Sequence, residues 1–153
     1  VTGAIYKLDS KGKKEVWHNG PFNFSNGMAL SADGKKLYVV CSFLPGVEQV
    51  EINVDGSAGK RSVLLHMPQT CPDGIALDKE GNLFISCYAP NTIYKLSPNG
   101  QLSTLIHDWE AHTICNPTNI AFGGVNHQQL FIANLGRWHI SRIDMEVAGL
   151  PLL

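Results

Sequence analysis

No apolar run in this chain is longer than a single strand, so no helix drawn from it would span a bilayer. Basic clusters are missing as well. With 12 Lys and Arg against 13 Asp and Glu, the formal net charge is -1, which argues against a nucleic-acid or anionic-membrane partner. Long stretches of good helix formers do not occur, because 15 glycines and 8 prolines cut the chain into pieces suited to turns between short strands. There is no Gly-x-Ser-x-Gly elbow and no phosphate-cradling glycine loop, which argues against serine-hydrolase and nucleotide chemistry. The cysteines Cys41, Cys71, Cys87 and Cys115 form no Cys-x-x-Cys pair, so a zinc knuckle is poorly supported. Val1 opens strand-like sequence with no signal peptide, and the absence of an initiator Met sets the expectation that upstream residues have been lost. A soluble cytoplasmic protein is the default expectation.

What is present is repetition. Ser25 to Leu30 and Pro72 to Leu77 are each a small polar stretch opening into an apolar strand, with 47 residues between Asn26 and Asp73. The triplet Ile120 to Phe122 aligns with both and puts Thr118 beneath Asp73 at a spacing of 45. The runs that follow are alike: LYVV after Lys36, LFIS after Asn82 and LFIA after Gln129. A period in the middle forties with several short strands per unit predicts an all-β chain, a β-propeller fragment of about three four-stranded blades. The blades are read over 1–25 (last two strands only), 26–72, 73–117 and 118–153 (last strand missing). Hairpin turns are expected at Gly12, Asp33-Gly34, Asp55-Gly56, Glu80-Gly81 and Asn99-Gly100. Because open stacks leave bare edges, either missing N-terminal blades or a second copy is expected to close the ring. Cys41 and Cys87 occupy the same place in successive repeats and read as buried free thiols, with disulfides as the alternative.

The blade spacing, Ser-Asn-Gly before one inner strand, PDGIALD from Pro72, NLFISCY from Asn82 and PTNIAFGG from Pro117 together resemble the regucalcin and gluconolactonase family of six-bladed propellers. The resemblance runs from Gly3 to about Pro151. It implies a divalent cation at the top of the central channel, usually calcium, with zinc and manganese as alternatives, and hydrolysis of a small-molecule lactone or ester. Family ligands are a Glu, two Asn and one Asp from different blades. The second Asn falls on Asn26 and the Asp on Asp73, while the Glu and first Asn have no counterpart and are expected in upstream blades.

A physical reading runs beside that resemblance. Inner strands of a propeller line the channel, so Asn26, Asp73 and Thr118 should approach one another, and all three offer oxygen. Calcium takes about six to eight oxygen ligands, and an amide with a carboxylate suits a hard cation better than thiol or imidazole. Asp73 is the expected catalytic residue, as nucleophile or general base directly or through a water. Thr118 is expected either to line the cavity or to bond backbone from a strand start. Against the site stands the plainer reading that Asn26-Gly27 and Asp73-Gly74 are hairpin turns. The remaining candidates read as structural. Asp108 to His112 is expected to be a solvated loop, and Asn53 to Gly56 a turn rather than a calcium loop. Asn23 to Ser25 is a formal glycosylation sequon, Trp138 reads as packing, and His139 is open between channel and core. Two function classes remain: a metal-dependent lactone hydrolase, and a non-catalytic propeller serving as a binding scaffold.

Overall fold

The computed structural model describes residues 2–44 and 46–151. All regular structure among them is strand, in four antiparallel sheets. Strands β1 (Thr2–Leu8) and β2 (Lys14–Asn23) form a pair. Next come β3 (Ser25–Leu30), β4 (Lys36–Cys41), β5 (Gly46–Ile52) and β6 (Ala58–His66), paired in sequence order. The plan repeats in β7 (Cys71–Leu77), β8 (Leu83–Ala89), β9 (Thr92–Leu96) and β10 (Leu102–His107). A three-stranded sheet follows, with β11 (Pro117–Gly123), β12 (Gln129–Asn134) and β13 (Ile140–Asp144). These are propeller blades, with β3, β7 and β11 as the inner strands.

Burial explains the continuous apolar runs. A strand covered on one face alternates, whereas one covered on both faces reads as an unbroken hydrophobic string. In β4, Val39 and Cys41 join Ile5, Phe22 and Val50 in the core facing the first pair, while Val40 joins Val47, Ile75 and Ile85 on the other side. In β8, Leu83, Ile85 and Cys87 face that second core, and Phe84 points into a third with Ile93, Ile114, Phe122 and Leu130. Phe84 and Phe122 meet edge to face with centroids 5.4 Å apart. The chain thus stacks sheets face to face, with one core between each neighbouring pair.

Five hairpins at one end use the same turn. Asp9, Ser31, Asn53, Asp78 and Ser97 each accept a backbone hydrogen bond at their carbonyl from a glycine three residues on. Those glycines, Gly12, Gly34, Gly56, Gly81 and Gly100, all have φ between 67° and 85°, a conformation that costs glycine little. The tail after β13 also ends at this face. Gly149 bridges Asp78, Lys79 N donates to Ala148 O (2.9 Å), and Leu150 N donates to Leu77 O (2.9 Å). The segment that follows the last strand of the incomplete blade is therefore tied to the tip of the neighbouring inner strand.

Both expected thiols are free and buried, and burial pushes Cys41 and Cys87 up to about 12, so they stay protonated at neutral pH. Cys41 Sγ lies 3.4 Å from Glu48 Oε1. Glu48 is buried and accepts from Arg61 Nη2 at 2.9 Å, with a second contact through Arg61 Nε, and the guanidinium sits 4.4 Å over the Phe22 ring. Arg61→Ala should cost about 3 kcal/mol in urea unfolding, because it strands a buried carboxylate. Exchanging the pair together, Glu48→Leu with Arg61→Met, should cost clearly less; equal losses would show that the ion pair contributes only as packing.

Candidate metal and catalytic site

The opposite end of the sheets carries the starts of the inner strands, and the same irregularity occurs in each. Ser25 pairs with Cys41 and Met28 with Val39, so Asn26 and Gly27 together face Val40. Pro72 pairs with Cys87 and Ile75 with Ile85, leaving Asp73 and Gly74 opposite Ser86. Pro117 pairs with Asn134 and Asn119 with Ala133, leaving Thr118 as the extra residue between them. Two residues facing one is a β-bulge, which bends the strand and re-aims a side chain. The polar stretches are thus neither hairpin turns nor lead-ins to strands; they are bulges inside them. Gly27 and Gly74 do not have the left-handed backbone of the turn glycines.

What those two glycines supply is the absence of a Cβ. A methyl on Gly27 would stand 2.6 Å from Asp73 O and 2.9 Å from Gly74 Cα. One on Gly74 would stand 2.5 Å from Asn119 Oδ1, 2.7 Å from its Cα and 2.9 Å from Ser86 Oγ. Each inner strand therefore passes its neighbour at backbone distance, beside the residue that carries the oxygen donor. Gly74 is held there by Ser86, whose hydroxyl accepts from Gly74 N at 2.9 Å.

Asn26 and Asp73 are brought together. The Asp73 carboxyl is half-buried, and burial raises its pKa above the ordinary carboxylate value; a hydrogen bond from the Asn26 side chain offsets part of the rise. Ser42, on the segment after β4, donates its hydroxyl proton to Pro72 O at 2.6 Å and accepts a long contact from Asn26 Nδ2 at 3.5 Å. One serine thus ties the residue before Asp73 to the amide of Asn26. Cys71 is half-buried close by, its thiol raised first by burial and then by the Asp73 charge. Thr118 is half-buried on the third bulge, and Asn119 beside it is exposed and abuts Gly74, its Oδ1 accepting from Ile120 N at 2.9 Å. Neither Ser42 nor Asn119 stands out in the sequence. The signal for Asn119 is its place in the repeat, where Gly27 and Gly74 stand in the other two.

Further along the inner strands the surface turns apolar. A cavity of ≈ 410 Å³ is lined by Met28, Leu30, Leu77, Ala121, Phe122 and Leu150, among others, and excludes Asn26 and Asp73. The polar pair therefore sits at the rim of an apolar well, at whose other end lies the tail.

The other candidates are placed elsewhere. Asp108 staples a loop by accepting from Thr113 N and, at 3.1 Å, Ile114 N; these backbone bonds, Thr113 foremost, lower its pKa. His112 Nδ1 is 3.5 Å from Glu110 on the exposed part of that loop. Asp55 spends its carboxylate on Ser57, at 2.6 Å to the hydroxyl and 3.0 Å to the amide, as a turn residue does. Trp138 is a correction: it is fully exposed and does not pack. His139 is exposed too, with Nε2 3.1 Å from Thr113 O, so it is not part of the core.

Among the described residues no group of three or more His, Cys, Asp or Glu side chains is placed to hold a metal ion. A hard cation would instead find at the bulges one carboxylate and one amide, and burial of Asp73, which raises its pKa by disfavouring the bare charge, makes an environment in which a bound positive charge is favoured over none. The donor chemistry fits such an ion; two protein ligands leave most of its coordination to other groups.

The model of the SMP-30/gluconolactonase/LRE-like region matches residues 1–135. A gluconolactonase from Zymomonas mobilis is 31% identical over 166 residues, an alignment covering 86% of this chain and 45% of the relative. Regucalcin from Pongo abelii is 28% identical over 139 residues, covering 85% and 43%. Among solved structures, a luciferin-regenerating enzyme superposes with a TM-score of 0.81 at 24% identity, over 98% of this chain and 54% of that one. The chain therefore spans less than half the length of these two curated relatives. With a family model matching most of its residues and the propeller architecture in place, the chain belongs to the SMP-30/gluconolactonase/LRE-like family.

Proposed function

We propose that this chain carries part of the site of a divalent-metal-dependent lactone hydrolase of gluconolactonase type, with Asn26 and Asp73 as metal ligands and Asp73 as the catalytic residue. The observation that supports it most is the pairing of an amide and a half-buried carboxyl on matching bulges of adjacent inner strands. Turn or scaffold duties leave this unexplained, since the hairpin turns lie at the other end of the sheets. Likeness to a gluconolactonase supports the reaction class.

A bound cation, calcium by preference with zinc or manganese as alternatives, would supply Lewis acidity toward a lactone carbonyl. The residues of the chain do the rest. The Asn26 amide beside Asp73 eases ionisation of its carboxyl, and Ser42 contacts Asn26 and holds the backbone ahead of Asp73. Once ionised, Asp73 is placed to take a proton from an attacking water or to attack the carbonyl itself. Thr118 lines the same mouth from the third strand. The remaining ligands would come from outside these three inner strands, from further blades or a second copy.

Calcium titration by calorimetry tests the reading. The wild-type protein should bind, Asp73→Ala and Asp73→Asn should lose at least about tenfold in affinity, and identical isotherms would favour the binding-scaffold alternative. The pH dependence has a definite sign. A carboxyl whose folded pKa is raised keeps its proton longer when folded, so in the metal-free protein its ionisation costs stability as pH rises through that pKa. Calcium competes with that proton, so affinity should climb over the same interval and level off above it. At neutral pH without metal, Asp73→Asn should melt no lower than wild type; a clear drop would show that the carboxylate serves the fold.

A further inference from the structure

Phe24 is the least economical residue at this end of the molecule. Its φ is 56°, in the left-handed region where Asn, Asp or Gly are cheap and a bulky side chain is strained. The backbone is nonetheless held there, with Phe24 O accepting from Ser42 N at 3.1 Å and Asn23 O from Phe43 N at 3.3 Å. The ring does not repay the strain by entering a core, since Phe24 is 40% exposed. It stacks instead on Phe43, with centroids 4.4 Å apart and planes inclined by 26°, and Phe43 and the adjoining Leu44 are each 62% exposed. Phe24 lies in the connection between β2 and β3, and Phe43 lies just after β4.

Its position ties it to the candidate site. Phe24 is two residues before Asn26, and Phe43 directly follows Ser42, the serine that contacts Asn26 and the carbonyl preceding Asp73. Consecutive Cα atoms are about 3.8 Å apart, so the Phe24 Cα lies within about 7.6 Å of that of Asn26, and Phe43 is rooted one residue from the serine that contacts Asn26. A rigid apolar wall beside a polar pair is how binding sites select an apolar substituent while fixing the reacting group. Polyhydroxylated lactones would leave hydroxyls unmatched against two rings and a leucine.

Resting on the lactonase reading above, we infer that Phe24 and Phe43 form a specificity-determining subsite for a lactone or ester bearing an alkyl or aryl substituent, in preference to a hydroxylated sugar lactone. The test compares hydrolysis of δ-dodecalactone and glucono-δ-lactone, which share a ring size, by the full-length calcium-loaded protein and its Phe24→Asn and Phe43→Ser variants. Asn suits the left-handed backbone, so Phe24→Asn should melt at or above the wild-type temperature and report on the ring alone. Wild type should favour the alkyl lactone, and each variant should lose roughly tenfold in kcat/KM for it while staying within about twofold for the sugar lactone. Equal losses on both substrates, or none, would overturn the subsite and leave the hydrolase intact. If neither lactone is hydrolysed, the lactonase reading fails. Saturation-transfer NMR of δ-dodecalactone with the metal chelated then decides the subsite separately: alkyl signals lost in Phe24→Asn support it, and signals unchanged in both variants refute it.

Discussion

Backbone contact between neighbouring inner strands is the constraint from which the rest of this structure follows. Sheets with ordinary side chains between them pack about 10 Å apart. At Gly27 against Asp73 and at Gly74 against Asn119 the separation collapses to main-chain contact. The sheets can then fan out from a narrow hub while side-chain cores fill the widening gaps behind it. That is why glycines stand next to the oxygen donors: the residue that must have no side chain and the residue whose side chain offers an oxygen occupy the two positions of one bulge.

The middle strands complete the wedge. Val39 and Val40, or Phe84 and Ile85, point into different cores because each middle strand is covered on both faces, and successive residues serve successive gaps. Inner strands are covered differently. Met28 and Leu30 are exposed on the open side and line the apolar cavity with the tail residue Leu150. The tail must pass Phe122 closely to reach β7, and a Cβ on Gly149 would lie 2.0 Å from the Phe122 ring carbon, so here too a glycine sets how near two segments come.

Much of this was legible in the sequence, for definable reasons. Strand order and the two, four, four and three count follow from repeated apolar runs, because double-sided burial forces continuous hydrophobic strings that local sequence displays directly. The turn glycines were legible because a left-handed φ is a local requirement. Asn26-Gly27 and Asp73-Gly74 carry the same dipeptides as those turns and are something else, since a bulge is defined by its partner strand and a Cβ-free contact by a neighbour 45 to 47 residues away. Ser42 was invisible and Asn119 marked only by its place in the repeat for the same reason: their partners, Pro72 O and Gly74, come from a neighbouring sheet. Trp138 misled because large aromatics are usually buried, and nothing local says that this one is left exposed.

The electrostatics of Asp73 join the architecture to the proposed chemistry. The close approach that packs β3 against β7 half-buries the carboxyl, and burial disfavours its charge. One amide hydrogen bond recovers only part of that cost, so the ionised group remains under-compensated in the chain as it stands. A proton relieves it, and so does a cation; the two compete for the same oxygens. Cys71 and Cys87 beside it offer no relief, because burial keeps both thiols protonated at neutral pH. An acid with a hard-oxygen neighbour and a demand for positive charge is what a strand convergence of this kind produces, and a propeller hub is where such a demand can be met from several sheets at once.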